Sequence, residues 1–319
     1  MTELPARTGS GLPLRVLVVG SGFVGTEIAR LLTAGGHRVT LTSRGRPAAD
    51  PAAYGARWTA LDATDPAACA RVVSAVDPRA VVLVHGPSDV TWCEAHPEEA
   101  AATHVRVTEN VATLPGLDRI VMISTDNVFD GSSPHNVETT PVSPANAYGA
   151  AKLMAEQTLL SRAVSPATVL RVSLVYGHEP AGSEKWLNFF SSCAHRLSRG
   201  ETVEAPADQW TTPVLVDDVA AVTSVLLRQP GALPPLLHLG GPGRISRADW
   251  ARVIAGALGV PTDLVKAVPR ASGRYASRPE NTCLSSALLP SVPGMDRTPL
   301  WDVTTSAAAL APVFLRAGR

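Results

Sequence analysis

The chain has 319 residues, 45% of them hydrophobic, enough to bury a substantial core as one large domain or two unequal lobes. Its 28 basic and 28 acidic residues balance, which excludes the electrostatic footprint of a nucleic-acid binder and points to a small-molecule partner. The cysteines Cys69, Cys93, Cys193 and Cys283 show no C-x-x-C spacing, so no metal site or disulfide framework is expected, and they read as reduced thiols of a cytoplasmic protein.

Residues 1–12 mix Gly, Pro, Thr and Ser without the apolar stretch of a signal peptide and are expected to form a flexible tail. No apolar run approaches the roughly 18 residues that cross a bilayer. From Leu14 to Val19 the chain is apolar except at Arg15, and Ile28, Leu31 and Leu32 then recur at helical spacing until Gly35-Gly36 stops the helix. Further strands are expected over 37–42, 58–61, 80–84 and 119–124, with helices over 66–76 and 94–112 between them. Such alternation predicts an α/β fold, a Rossmann doubly wound parallel sheet covered on both faces. A helix over 146–160 and a strand over 168–175 follow. Beyond Gly177 the regularity fades into helices over 186–198, 216–227 and 247–258, separated by Pro- and Gly-rich connections. The expected division is a Rossmann domain over 13–177, rejoined by 212–240, and a smaller C-terminal substrate-binding lobe made of 178–211 and 241–319.

Gly20-Ser21-Gly22-Phe23-Val24-Gly25 is a G-x-G-x-x-G directly after a strand and opening a helix, the context this motif requires. Gly20, Gly22, Phe23, Val24 and Gly25 are the expected contacts of a pyrophosphate, whose charge would meet the positive end of the helix. About 20 residues on, where sheets specific for NAD carry an acidic group, stand Thr42-Ser43-Arg44-Gly45-Arg46. A carboxylate there repels a 2′-phosphate and an arginine pairs with it, so Ser43 and Arg44, with Arg46 nearby, favour NADP(H). The plain alternative makes both arginines solvated loop charges. Asp62, just past the third strand, is a candidate for the adenine amino group.

Tyr148-Gly149-Ala150-Ala151-Lys152 sets a phenol and an ammonium four residues apart on one helix face. An ordinary tyrosine, with a pKa of about 10, exchanges protons poorly at neutral pH, and a fixed cation nearby is expected to lower that value. The preceding Pro144-Ala145-Asn146-Ala147 supplies a helix start. Upstream, the fifth strand ends in Ser124-Thr125-Asp126-Asn127. A hydroxyl at that edge of a parallel sheet sits where ligands bind, so Thr125 is expected to donate a hydrogen bond to a substrate oxygen.

The glycine turn, the segment 124–131, Tyr148 and Lys152 followed by Glu156, and the strand Leu170-Arg171-Val172-Ser173-Leu174-Val175-Tyr176-Gly177 stand in a telling order. With Asp208-Gln209, Pro213, Asp217-Asp218, Arg278-Pro279-Glu280-Asn281 and Leu284, they resemble the extended short-chain dehydrogenase/reductase family, most closely its dTDP-4-dehydrorhamnose reductase branch. The resemblance implies an enzyme in which Thr125 polarises a carbonyl, Tyr148 donates the proton, and Lys152 holds the nicotinamide ribose and tunes Tyr148. It implies NADP(H)-dependent reduction of a keto group on a nucleotide-linked deoxysugar. Val175, His85 and Gly86 are then expected near the cofactor. Asp126, Asn127, Asn188, Gln209, Trp210 and Arg278 are expected near the substrate, with Trp186 and Phe189 as further aromatic surface. The implied partner is a nucleotide-sugar-like small molecule, with a homodimer as the assembly to test and no metal.

Departures from the family pattern narrow this expectation. The glycine turn is one residue shorter than the usual G-x-x-G-x-x-G, His85-Gly86 replace small alanines, and His104 stands where an asparagine often supports a proton relay. Asn127 and Leu174 replace a tyrosine and a tryptophan that face the sugar in rhamnose-type reductases, so the rhamnose precursor itself is not the expected substrate. Asn127 also lacks the carboxylate of the dehydratase relatives, which favours simple carbonyl reduction. Two alternatives stay open: an epimerase that retains its cofactor, and a non-catalytic NADP-binding regulatory subunit resembling the β-subunit of methionine adenosyltransferase.

Overall fold

Short runs of Val, Ile and Leu that are apolar on both faces pair most compactly as buried parallel strands. In the computed structural model, which describes residues 12–180, 187–271 and 275–317, seven strands form one parallel sheet. They are β1 (Arg15–Val19), β2 (Arg38–Ser43), β3 (Arg57–Ala60), β4 (Ala80–Leu83), β5 (Arg119–Thr125), β6 (Ala167–Val172) and, on the edge beside β6, the strand Leu236–Leu239. From that edge the order runs through β6, β5, β4, β1 and β2 to β3. The winding reverses between β1 and β4, which leaves a crevice outside their carboxyl ends, the place where such sheets bind ligands.

The helices among the described residues are α1 (Phe23–Ala34), α2 (Pro66–Val76), α3 (Val90–Ala95), α4 (Pro97–Ala112), α5 (Ala147–Arg162), α6 (Phe189–Leu197), α7 (Val216–Leu227), α8 (Arg247–Leu258) and α9 (Val303–Ala317). Alternation along the strands divides the core into two layers. Val16 and Val18 of β1 pack with Ile28 and Leu32 of α1 and Val219 and Val222 of α7. Leu17 and Val19 pack on the other face with Val107 and Val111 of α4 and Leu159 of α5. A separate cluster around Tyr176, Phe190, Trp250, Ile254 and Phe314 joins α6, α8 and α9. Leu289 and Val292, from beyond α8, pack back into the core of the sheet.

Three elements differ from the sequence expectation. The helix expected over 94–112 is two helices, because Pro97 has no N–H to continue the first and pushes His96 out of the helical region, to φ −136° and ψ 56°. The strand expected over 168–175 stops at Val172, and Val175–Tyr176 pairs instead with Val214–Leu215. Ser173 marks that break, with its hydroxyl 3.1 Å from Asp126 Oδ2 and 3.0 Å from the Thr282 carbonyl. The helix expected from residue 186 begins at Phe189, where Asn188 caps the Ser191 N–H at 3.1 Å.

Under the carboxyl end of the sheet, Arg171 of β6 grips Glu156 of α5. Its Nη2 lies 2.7 Å from Oε2 and its Nε 3.1 Å from each carboxylate oxygen, with side chains only 5% and 3% exposed. The Ser124 hydroxyl donates to the same carboxylate. Removing one partner of such a buried pair leaves an uncompensated charge. Arg171→Met should therefore cost about 3–5 kcal/mol of unfolding free energy, and the double replacement Glu156→Gln/Arg171→Met should recover most of it. Urea titrations of the wild type and the two variants measure both outcomes.

Candidate active site

The turn after β1 carries Gly20 at φ +116°, a region glycine alone occupies easily, and a Cβ there would come within 2.1 Å of the Val84 carbonyl oxygen. Gly25 is equally confined, against the Gly20 carbonyl oxygen. Gly22, by contrast, has open space where a Cβ would stand, and α1 starts from it without a capping side chain. Phe23 and Val24 occupy the first turn. The cradle therefore suits an anionic group at the positive end of the helix, as a dinucleotide pyrophosphate requires.

At the end of β2, the Ser43 hydroxyl accepts from Trp58 Nε1 at 3.0 Å and donates to the Gly45 carbonyl at 2.7 Å. Arg44 is exposed at the rim. Asp62 faces it across the strand ends, and its carboxyl is held below the usual range first by hydrogen bonds from Thr64 and then by the Arg44 charge. Arg46 pairs with Asp50 at 3.7 Å.

Past β4, two histidines lie together with ring centroids 5.4 Å apart. His85 Nε2 is 3.1 Å from the His104 carbonyl oxygen, and His104 Nε2 is 3.1 Å from the Pro87 carbonyl oxygen. Carbonyls only accept, so each ring carries its proton on Nε2, and both buried Nδ1 atoms have no protein partner. Burial, with the Lys152 charge adding, pushes His104 down to about 3 and His85 well below its ordinary value, so both stay neutral at physiological pH. Gly86, at φ +88°, lies against the His104 ring.

Thr125, Asp126 and Asn127 follow at the end of β5, opposite Tyr148 and Lys152 in the first two turns of α5. Lys152 is buried and donates from Nζ to the Ile123 carbonyl at 2.8 Å. Burial pushes its ammonium down to about 8, opposed by the Glu156 charge one turn on. The ring of half-buried Tyr148 meets the His104 ring edge-on at 6.2 Å. The expectation that Lys152 lowers the Tyr148 pKa is not met. Burial raises the phenol above its ordinary value, the Thr125 hydroxyl opposes this only in part, and the Asp126 charge adds to it. Asp126 is 4% exposed and its carboxyl is lifted by burial to about 6, against hydrogen bonds from Thr282, Ser173 and Thr125.

Several expected ligand contacts are committed within the protein. Asn127 bonds Thr125, Asp126 and Asn146. Asn188 caps α6 and donates to the Gly177 carbonyl at 3.0 Å and to Glu179 at 2.9 Å. Gln209 is buried, donating to the Pro279 carbonyl and accepting from Arg247. The Arg244 guanidinium covers the Trp210 ring at 4.0 Å from its centroid. Phe189 lies under Arg247 at 4.8 Å, and Val175 is half-buried beside Val214. Arg278 does line a cleft of about 400 Å³, with Asp130, Ser132, Arg270, Ser277 and Glu280. Trp186 lies outside the described residues. The sequence reading missed Arg244, Arg247 and Arg270, which no local pattern marks. It took Asn146 only as part of a helix start, although an asparagine three residues before Gly149 is the signal of the cap it forms at 2.8 Å.

A dinucleotide cradle beside a threonine, a tyrosine and a lysine at one strand end calls for comparison with known proteins. The profile of the RmlD substrate binding domain matches residues 14–307. The chain belongs to the RmlD substrate binding domain family. It is 32% identical over 222 residues to the dTDP-4-keto-6-deoxy-D-glucose reductase of Streptomyces niveus, covering 65% of this chain and 73% of that one. It is 26% identical over 222 residues to the methionine adenosyltransferase 2 subunit beta of Danio rerio, covering 68% of each. The crystal structure of the Bacillus anthracis dTDP-4-dehydrorhamnose reductase in complex with NADP superposes with a TM-score of 0.75 at 21% identity, over 94% of this chain and 99% of that one. That likeness shows the shared fold.

In this RmlD-family chain the lysines are Lys152, Lys185 and Lys266. Because burial disfavours the ammonium of Lys152, it should titrate near 8, charged below that pH and neutral above it. NMR of lysine amines labelled with nitrogen-15 should show one resonance with that midpoint, absent from Lys152→Met. A lowest lysine midpoint above 10 would contradict the burial argument.

Proposed function

We propose that the chain is an NADPH-dependent reductase of a keto group on a nucleotide-linked deoxysugar, a 4-ketoreductase of a specialised biosynthetic pathway. The observation that carries this reading is the convergence of Thr125, Tyr148 and Lys152 at one strand end beside the glycine cradle. Family membership and the 32% identity to a dTDP-4-keto-6-deoxy-D-glucose reductase support it.

Gly20, Gly22, Phe23, Val24 and Gly25 would hold the pyrophosphate, Arg44 the 2′-phosphate, and Asp62 the adenine end. His85, Gly86 and Val175 would flank the nicotinamide half, with Lys152 on its ribose. When bound, that cofactor supplies the hydride. Everything else is done by side chains. Thr125 Oγ1 donates a hydrogen bond to the substrate carbonyl and stabilises the charge that develops on its oxygen. The Tyr148 phenol, held protonated by its desolvated setting, delivers its proton to the same oxygen. Burial keeps the phenol in its protonated form before the reaction, the form that a reduction requires. Lys152, cationic below about pH 8, is left to hold the ribose rather than to lower the phenol pKa.

The substrate would extend from this centre toward the cleft bordered by Arg270 and Arg278, whose charges suit phosphate groups. Asp126 and Asn127 shape the reacting end, and no carboxylate stands at 127 to expel water from a sugar ring. The four free, buried cysteines suit a reducing, cytoplasmic setting, and no described helix is long and apolar enough to cross a membrane. Likeness to the methionine adenosyltransferase subunit favours a second reading, a non-catalytic NADP-binding subunit.

The two readings diverge on Tyr148→Phe. A reductase should lose kcat by about 100- to 10,000-fold with NADPH binding nearly intact, whereas a regulatory subunit has no turnover to lose. Single-turnover and steady-state NADPH oxidation with a panel of nucleotide-linked 4-keto sugars measures this. Arg44→Ala should weaken NADPH more than NADH in binding titrations, and an equal loss for both would reassign Arg44 to the solvated surface.

A further inference from the structure

Asn127 stands beside the reacting groups, yet each polar atom of its side chain is bonded within the protein. Its Nδ2 donates to Thr125 Oγ1 at 3.1 Å and to Asp126 Oδ1 at 2.9 Å, and its Oδ1 accepts from Asn146 Nδ2 at 2.9 Å. Its backbone N–H gives Thr125 Oγ1 a second donor, also at 3.1 Å. A hydroxyl has two acceptor lone pairs and one hydrogen. With both lone pairs of Thr125 facing donors from Asn127, that hydroxyl can only donate. Its hydrogen faces Asp126 Oδ1 at 3.2 Å, and the same hydroxyl opposes the rise of the Tyr148 pKa.

We propose that Asn127 is a positioning residue of the reduction: by filling the acceptor side of Thr125 it fixes that hydroxyl as a donor toward the substrate carbonyl. The proposal rests on the reductase reading above. Without Nδ2, a lone pair of Thr125 becomes free to accept from Tyr148. The phenol proton then points at Thr125 instead of the carbonyl oxygen, and both proton sources are lost to the substrate together.

The same amide controls where the phenol stands. Asn146, gripped by Asn127 Oδ1, caps the Gly149 N–H in the first turn of α5 and reaches the Ser277 carbonyl at 3.3 Å, on the segment that lines the cleft. A Cβ on Gly149 would lie 2.0 Å from the Asn127 carbonyl oxygen, so helix and strand end are already in contact. Asn127 thus joins the donor, the helix bearing the acid and the cleft wall through one planar group.

The test compares Asn127→Ala, Thr125→Ala and Thr125→Ser, and Asn127→Ala combined with each threonine variant. Assays use NADPH and a panel of nucleotide-linked 4-keto sugars that includes dTDP-4-keto-6-deoxy-D-glucose. Thr125→Ala should lower kcat about 100-fold and Asn127→Ala about 10-fold, with KM for NADPH unchanged. The Asn127→Ala loss should vanish in the Thr125→Ala background, where no hydroxyl remains to orient, and persist in full with Thr125→Ser. An unchanged kcat in Asn127→Ala, or a further 10-fold loss on top of Thr125→Ala, would overturn the proposal while leaving the reductase reading intact. Wild-type kcat in Thr125→Ala, or no turnover of any panel member by the wild type, removes the reductase reading and this proposal with it. If Asn127→Ala does not fold, as judged by its melting transition, Asn127→Asp keeps the shape and the Oδ1 acceptor, replaces the Nδ2 donor, and is read by the same criteria.

Discussion

Helix α5 runs so close to the end of β5 that three successive turns of one helix face are stitched to it. Gly149 abuts the Asn127 carbonyl, Lys152 donates to the Ile123 carbonyl, and Glu156 accepts from Ser124 while Arg171 holds it from β6. Those positions are three and four residues apart, the spacing that brings side chains over one another on a helix. The phenol of Tyr148 has little freedom once these bonds are made, because its backbone lies between a capped first turn and a buried ion pair. An active site held on a helix and a strand in this manner stays precise where one built on loops would drift.

Desolvation then sets the chemistry. The end of β5 buries a lysine, two histidines, an aspartate and most of a tyrosine, and removal from water disfavours the charged form of each. The histidines respond by staying neutral, which spares Lys152 a like charge at short range. Lys152 keeps its proton to about pH 8 because Glu156 supplies the opposite charge one turn away. Tyr148 remains a neutral acid because burial disfavours its phenolate. A set of groups that would be ordinary in water becomes a donor, a carrier of positive charge and two neutral acceptors.

The segment after α8 completes the site from a distance along the chain. Asn281 Nδ2 donates to the Gly131 carbonyl at 3.0 Å, Asn136 Nδ2 to the Cys283 carbonyl at 3.1 Å, and Ser173 joins Asp126 to Thr282. Strand Trp210–Thr211, paired to Asn281–Thr282 on one side and Ile245–Ser246 on the other, carries the arginine-covered indole into the same region. The arginines cluster there because their guanidinium planes find aromatic rings and carbonyls to lie against, an arrangement that lysines would not sustain.

What the sequence determined by itself was governed by near neighbours. Hydrophobic runs located six of the seven strands of the sheet, missing the edge strand Leu236–Leu239, and the bounds of α2, α7 and α8 coincide with the spans their periodicity marks. Turn chemistry identified the Gly20–Gly25 cradle, and the spacing of Tyr148 and Lys152 put both on one helix face, enough to reach the fold class and the family. The split at Pro97 was missed, although proline acts on its immediate neighbours and the signal stood in the sequence. Only the tertiary structure decided the direction of the Tyr148 pKa, the pairing of His85 with His104, and the commitment of Asn127, Asn188 and Gln209 to internal bonds. Desolvation and hydrogen-bond saturation depend on which atoms arrive from elsewhere in the chain, as Arg247 does at Gln209 and Ser277 at Asn146, and no local pattern encodes those arrivals.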